Sequence, residues 1–151
     1  MKKFILFFAS GAGVGFLPGP TGTYGTAVGV GLYALLKDLP EFNYLFFVLA
    51  FFLFSVWISA FAENIFQEKD SGKIVIDEII GYFVTMLFLP FSLKLAMTGF
   101  VVFRLFDILK PFPIRSIDRH LKNGWGVVLD DVVAGIFSNI VLQVLVHWIH
   151  F

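Results

Sequence analysis

The chain has no cysteine, which excludes disulfides, thiolate metal sites and phosphatases built on a cysteine nucleophile. It has no excess charge of either sign. Eleven Lys and Arg balance eleven Asp and Glu, so nothing in the charge supports nucleic acid as a partner. Charged residues make up only 15% of the chain and histidines number three. No linker, low-complexity stretch or internal repeat interrupts the 151 residues, a length that suits one domain, taken as residues 1–151. What is abundant is apolar: 58% hydrophobic residues, 21 Phe and a mean hydropathy of +0.88. That content exceeds an ordinary soluble domain and predicts an all-α fold, a compact membrane-embedded bundle of about five or six helices.

The stretch Phe42–Ala62 carries no charge over 21 residues. At about 1.5 Å per residue it is long enough to cross a hydrocarbon core. Val132–Ile149 is a second candidate, with Asn139 and Gln143 four apart and in need of partners inside the bundle. Ile74–Leu89 and Phe91 to about Leu109 are split by Pro90 and predict a helical hairpin with ionic ends. Tyr24–Leu36 is shorter, but Gly25 and Gly29 have the small-xxx-small spacing that lets helices approach closely, so it predicts a packed, partly inserted helix. The start, MKKFILFFASGA, has the outline of a short signal peptide, but its apolar core is too short, and the segment is kept as structure.

If each helix crosses once, the loops Pro18–Thr23, Glu63–Glu78 and Arg104–Asp131 share one face. That face carries Lys69, Lys73, Arg104, Lys110, Arg115, Arg119 and Lys122, against Lys37 and Lys94 on the other. The imbalance points to the cytoplasm and to a multi-pass protein of the inner membrane. The same alternation gathers the acids Asp77, Glu78, Asp107, Asp130 and Asp131 at one level, beside the glycine-rich segment LPGPTGTYGT. Carboxylates at the ends of lipid-facing helices are costly and call for an ion, a substrate or a proton path.

Five convergent carboxylates exceed the positive charge that faces them, so a divalent cation is the natural partner, and all-oxygen ligands suit Mg²⁺, Mn²⁺ or Ca²⁺. Mg²⁺ typically takes one or two carboxylates, waters and substrate phosphate, which suits acids set beside Arg104, Lys110 and Arg115. Arg104, Asp107 and Lys110 recur every three residues, placing one carboxylate between two cations on a helical face. Adjacent helical residues point about 100° apart, so the two members of Asp77/Glu78 or Asp130/Asp131 cannot bind alike. For Asp130 the competing expectation is an N-cap of the last helix. Thr21, Gly22 and Thr23, just before a helix, form an anion-binding arrangement without a Walker lysine. His147 and His150 flank Trp148 at the end of an apolar helix, an interfacial position.

The blocks GVGFLPGPTGTYGT, IVIDEIIGYFVTMLFLP and FRLFDILKPFPIRSIDRHLKNGWGVVLDDVVAGI resemble, in order, those of the phosphatidylglycerophosphatase A family, and the resemblance covers most of the chain. It implies a Mg²⁺-dependent phosphatase that removes the terminal phosphate of phosphatidylglycerol phosphate to give phosphatidylglycerol in bacterial phospholipid synthesis. Asp77 and Glu78 match the family's first acidic pair, Asp107 its FD-x-x-KP acid, and Asp130 and Asp131 its second pair. All five are thereby the expected catalytic acids. The metal is assigned to Asp77, Asp107 and Asp131 with Glu78, and substrate binding to Arg104, Lys110, Arg115, Thr21, Gly22 and Thr23.

The expected route is metal-assisted in-line attack of water on phosphorus, with an aspartyl-phosphate intermediate as the competing one. Arg104, Lys110 and Arg115 would neutralise the equatorial oxygens. There is no D-x-D-x-T nucleophile motif and no D-x-x-D-G-x-x-A-R signature of the alcohol phosphatidyltransferases. The alternative of another class is a small membrane cation transporter or channel, which would need its acids near the midplane. Membrane lipid surrounds the chain on either reading, and an oligomer stays open.

Overall fold

The computed structural model describes residues 1–121 and 124–149; Lys122, counted above among the basic loop residues, and His150 lie outside them. Every element among the described residues is helical: α1 (Lys2–Ala9), a 3-10 turn (Val14–Phe16), α2 (Thr21–Leu36), α3 (Glu41–Phe66), α4 (Ile76–Thr85), α5 (Leu93–Leu109), α6 (Ile114–His120) and α7 (Gly124–Ile149). The fold is thus all-α, with seven helices among the described residues where the sequence predicts about five or six. The additional ones are short. α1 has eight residues and α6 seven, and α6 starts anew after Pro111 and Pro113 interrupt the chain beyond α5.

α3 and α7, each of 26 residues, contain the two uncharged stretches and are long and apolar enough to cross a membrane. α3 turns Phe42, Phe46, Leu49, Leu53, Trp57 and Phe61 outward. α7 does the same with Ile136, Ile140, Val144 and Trp148. Outward apolar faces of this extent mark a surface that meets something other than water.

α4 is the centre of the bundle. Every one of its residues except Glu78 is buried, and at ten residues it is roughly 15 Å long, half of a hydrocarbon core. The expected helix Ile74–Leu89 stops at Thr85 because side chains take over its last carbonyls. Asn139 Nδ2 donates to the carbonyl oxygens of Thr85 at 2.9 Å and Leu87 at 2.7 Å. Gln143 Nε2 donates to those of Leu87 and Phe88, each at 3.2 Å. The partners that the Asn139/Gln143 stripe requires are therefore the exposed carbonyls of a broken helix. Two buried phenols anchor the same region: Tyr44 donates to Phe83 O at 3.0 Å, and Tyr82 to Ala96 O at 2.8 Å.

α2 lies on α4 through its glycines. A β-carbon on Gly25 would stand 2.7 Å from Val75 Cβ, and one on Gly29 3.2 Å from Tyr82 Cβ. The spacing expected to bring two helices together does so within one chain. α2 begins at Thr21, so Thr21, Gly22 and Thr23 form its first turn rather than the preceding loop. α5 begins at Leu93, where Ser92 Oγ accepts the Leu95 amide at 3.0 Å. α7 begins at Gly124, six positions before Asp130, so the expected capping role of Asp130 is ruled out.

Candidate active site

Asp77 and Glu78 occupy the first turn of α4, where the partial positive charge of the helix start favours carboxylates. The chain enters that turn under restraint, since the Val75 amide donates to Ala9 O at 2.8 Å and ties the start of α4 to the end of α1. The third acid comes from α7. α4 and α7 cross at glycines: a β-carbon on Gly135 would meet the Gly81 carbonyl oxygen, and one on Gly81 would stand 2.9 Å from the Asp131 carbonyl oxygen. With the backbones this close, one carboxylate oxygen from each of Asp77, Glu78 and Asp131 lies within 4.8 Å of the other two.

The cluster is withdrawn from solvent. Asp77 is 6% exposed and Asp131 4%, while the buried Asp77 Oδ1 and Glu78 Oε2 have no hydrogen-bond partner. Buried carboxylate oxygens are rarely left orphaned, and like charges at this spacing repel. A divalent cation fits both conditions, because it neutralises the group and takes up those lone pairs, and an all-oxygen donor set suits Mg²⁺.

The remaining residues are distributed around this core. Arg104 Nη1 lies 2.5 Å from Asp107 Oδ2, and the same guanidinium lies with Glu78 Oε1 around Gly22. Asp107 is thus a neighbour of the three-carboxylate group, held by an arginine. Lys110 departs from the expected helical face. α5 ends at Leu109, and Lys110 takes a left-handed conformation (φ 41°) before Pro111, a residue that disfavours helix at the position it follows. Its Nζ reaches α7 and lies 2.7 Å from Asp130 Oδ2. Arg104 thus pairs with Asp107, while Lys110 pairs with Asp130 of the second acidic pair.

That contact also separates the two members of the second pair, which point about 100° apart on α7. Asp131 joins the carboxylate cluster and Asp130 meets Lys110. In the first pair both members reach the cluster. The helix start of α2 closes over it: a β-carbon on Gly22 would collide with Glu78 Oε1 and stand 3.0 Å from both Arg104 Nη atoms. Thr21 and Thr23 are half-buried in the same turn. Arg115 is exposed on α6 and faces a groove it shares with Lys110.

The sequence carries a signal for the α4–α7 crossing that residue-by-residue motif matching passes over. Asp77 and Gly81 stand four apart in DEIIG, and Asp131 and Gly135 four apart in DVVAG. Residues four apart share a helical face. Each helix therefore presents an acid and, one turn on, the glycine that lets the other backbone approach.

The phosphatidylglycerophosphatase A family model matches residues 7–146. A Haemophilus influenzae protein named phosphatidylglycerophosphatase A is 36% identical over 146 residues, covering 95% of this chain and 90% of that one. An Escherichia coli protein of the same name is 34% identical over 140 residues, covering 92% and 81%. A Bacteroides thetaiotaomicron protein with the provisional name phosphatidylinositol-3-phosphatase is 31% identical over 147 residues, covering 92% and 91%. No solved structure matches the chain. With a family model spanning nearly all of its length and relatives matched almost end to end, this chain belongs to the phosphatidylglycerophosphatase A family.

Proposed function

We propose that the protein is a Mg²⁺-dependent phosphomonoesterase of the bacterial inner membrane, which hydrolyses phosphatidylglycerol phosphate to phosphatidylglycerol and phosphate with its site on the cytoplasmic face. The observation that carries this is the meeting of Asp77, Glu78 and Asp131 within 4.8 Å in a chain of this family. Those three would hold the cation, with Asp107 beside them. Bound there, it supplies Lewis acidity toward the phosphoryl oxygens.

The chain's own groups do the rest. Arg104, fixed by Asp107 and packed over Gly22, presents a guanidinium suited to the equatorial oxygens of a phosphoryl group in transfer. The first turn of α2 passes beside it at Gly22, and the backbone amides of a helix start favour an anion. Lys110 holds Asp130 and so fixes the stretch of α7 that carries Asp131. Water attacks phosphorus, the P–O bond to glycerol breaks, and the departing oxygen takes a proton while inorganic phosphate is released. The outward apolar faces of α3 and α7 support a place in lipid, where the acyl chains stay while the head group reaches the acids.

The test is phosphate release from phosphatidylglycerol phosphate by purified protein in detergent, with Mg²⁺ or with EDTA, alongside Asp131→Asn. Release that needs Mg²⁺ and is lost in the variant is the expected result. Absence of release with any divalent metal overturns the phosphatase assignment and directs attention to cation flux in liposomes.

A further inference from the structure

Arg115 is set apart from the acid cluster by its place on α6, and what surrounds it there is not a site for a second reacting phosphate. It lines a groove of about 370 Å³ between the end of α5 and α6. One wall is apolar and turned outward: Leu109 is 64% exposed and Phe112 85%. The other is polar, with Lys110, Arg115, Ser116 and His120. Among the described residues the lining has two cations and no carboxylate. His120 Nδ1 lies 2.7 Å from the Ser116 carbonyl oxygen. A carbonyl only accepts, so Nδ1 carries the proton and Nε2 is the nitrogen available to a ligand or, once protonated, to an anion.

The groove adjoins the acids through one side chain. Lys110 lines it and also lies 2.7 Å from Asp130, the residue before Asp131. A ligand in the groove would therefore present a monoanion to Arg115, lay its apolar part along Leu109 and Phe112, and have its far end at Lys110, on the side of Asp130 and the second acidic pair. That pattern is a phosphodiester followed by acyl chains on one side and a phosphomonoester on the other. We propose that this groove seats the phosphodiester of the lipid substrate, and that Arg115 with His120 selects head groups that carry one. The proposal rests on the phosphatase assignment above. It moves Arg115 from the reacting phosphate to the phosphate that does not react.

The discriminating substrates are phosphatidylglycerol phosphate, with both a monoester and a diester, and phosphatidic acid of the same acyl chains, with a monoester alone. In detergent micelles with Mg²⁺, the unsubstituted protein should prefer the first. A hydrogen bond to a charged group supports about a ten- to hundredfold preference. Arg115→Gln should lose that preference through KM on phosphatidylglycerol phosphate, leave phosphatidic acid hydrolysis unchanged, and be partly rescued by Arg115→Lys. His120→Gln lines the same groove and should shift the ratio in the same direction, so the inference survives misfolding of either variant. Equal losses on both lipids, or no loss on either, overturn it. If the unsubstituted protein hydrolyses neither lipid, the phosphatase assignment has failed. The groove is then judged by retention of phosphatidylglycerol in native mass spectra: weaker retention by Arg115→Gln sustains the diester site, and equal retention overturns it.

Discussion

Gly81 on α4 and Gly135 on α7 face each other where the two helices cross, so closely that a β-carbon on Gly135 would run into the Gly81 carbonyl oxygen. Each glycine lies one turn past an acid of the cluster, and the separation of those acids is set by the separation of the backbones. Gly135→Ala should push α7 away from α4. Overpacking of this kind typically costs about 1–3 kcal/mol. Thermal unfolding in detergent should show a lower midpoint. Metal titration should show weaker Mg²⁺ binding, because Asp131 would retreat from Asp77 and Glu78.

The end of α4 offers a second test, away from the site. Asn139 and Gln143 donate to the carbonyls of Thr85, Leu87 and Phe88. Asn139→Leu would leave the Thr85 carbonyl without its side-chain donor and Leu87 with Gln143 alone. Losses of about 1–3 kcal/mol are typical in soluble proteins, and nearer 0.6 kcal/mol in membrane proteins where other partners exist. The variant should unfold at lower denaturant concentration, whereas Asn139→Gln, which keeps a donor, should lose less. Equal stability of Asn139→Leu and the unsubstituted protein would contradict the anchoring role.

Lys110 and Asp130 should be energetically coupled. The pair is mostly buried, with side chains 27% and 7% exposed, and breaking it from one side leaves the other charge in poor surroundings. A double-mutant cycle with Lys110→Met and Asp130→Asn should give a coupling of about 1 kcal/mol in stability. The double variant should be less harmed than the sum of the singles. Strict additivity would show that the contact contributes nothing.

Because the native chain has no cysteine, single cysteines can be introduced without removing any. Lys69 and Asp38 are both exposed, at opposite ends of α3. With the acids facing the cytoplasm, Lys69→Cys should resist a membrane-impermeant maleimide in intact spheroplasts and react after lysis, while Asp38→Cys should react in both. The reverse pattern would place the acid cluster on the outer face.

Chelation provides the last test. With three carboxylates gathered and two of their buried oxygens unpartnered, stripping divalent metal should lower the unfolding midpoint of the unsubstituted protein, and Mg²⁺ should restore it by mass action. In Asp77→Asn both responses should shrink. A midpoint indifferent to EDTA and Mg²⁺ would count against a cation at this cluster.

The helical class and the two long apolar helices were legible in the sequence, because each depends on local properties. Hydropathy over some twenty residues is additive along the chain. The GxxxG-like spacing at Gly25 and Gly29 was legible for the same reason, since four-residue spacing fixes a face before any partner is known.

Other features were decided by tertiary structure alone. The shortening of α4 to ten residues depends on side chains from α7 taking its carbonyls, a contact between positions more than fifty apart in sequence. The departure of Lys110 from the face of Arg104 and Asp107 depends on a backbone turn before Pro111 and on Asp130 waiting across the bundle. That Asp131 rather than Asp130 joins Asp77 and Glu78 depends on the rotation of α7 about its own axis. Composition and spacing specify which residues share a face; only the packing of one helix against another determines what that face meets.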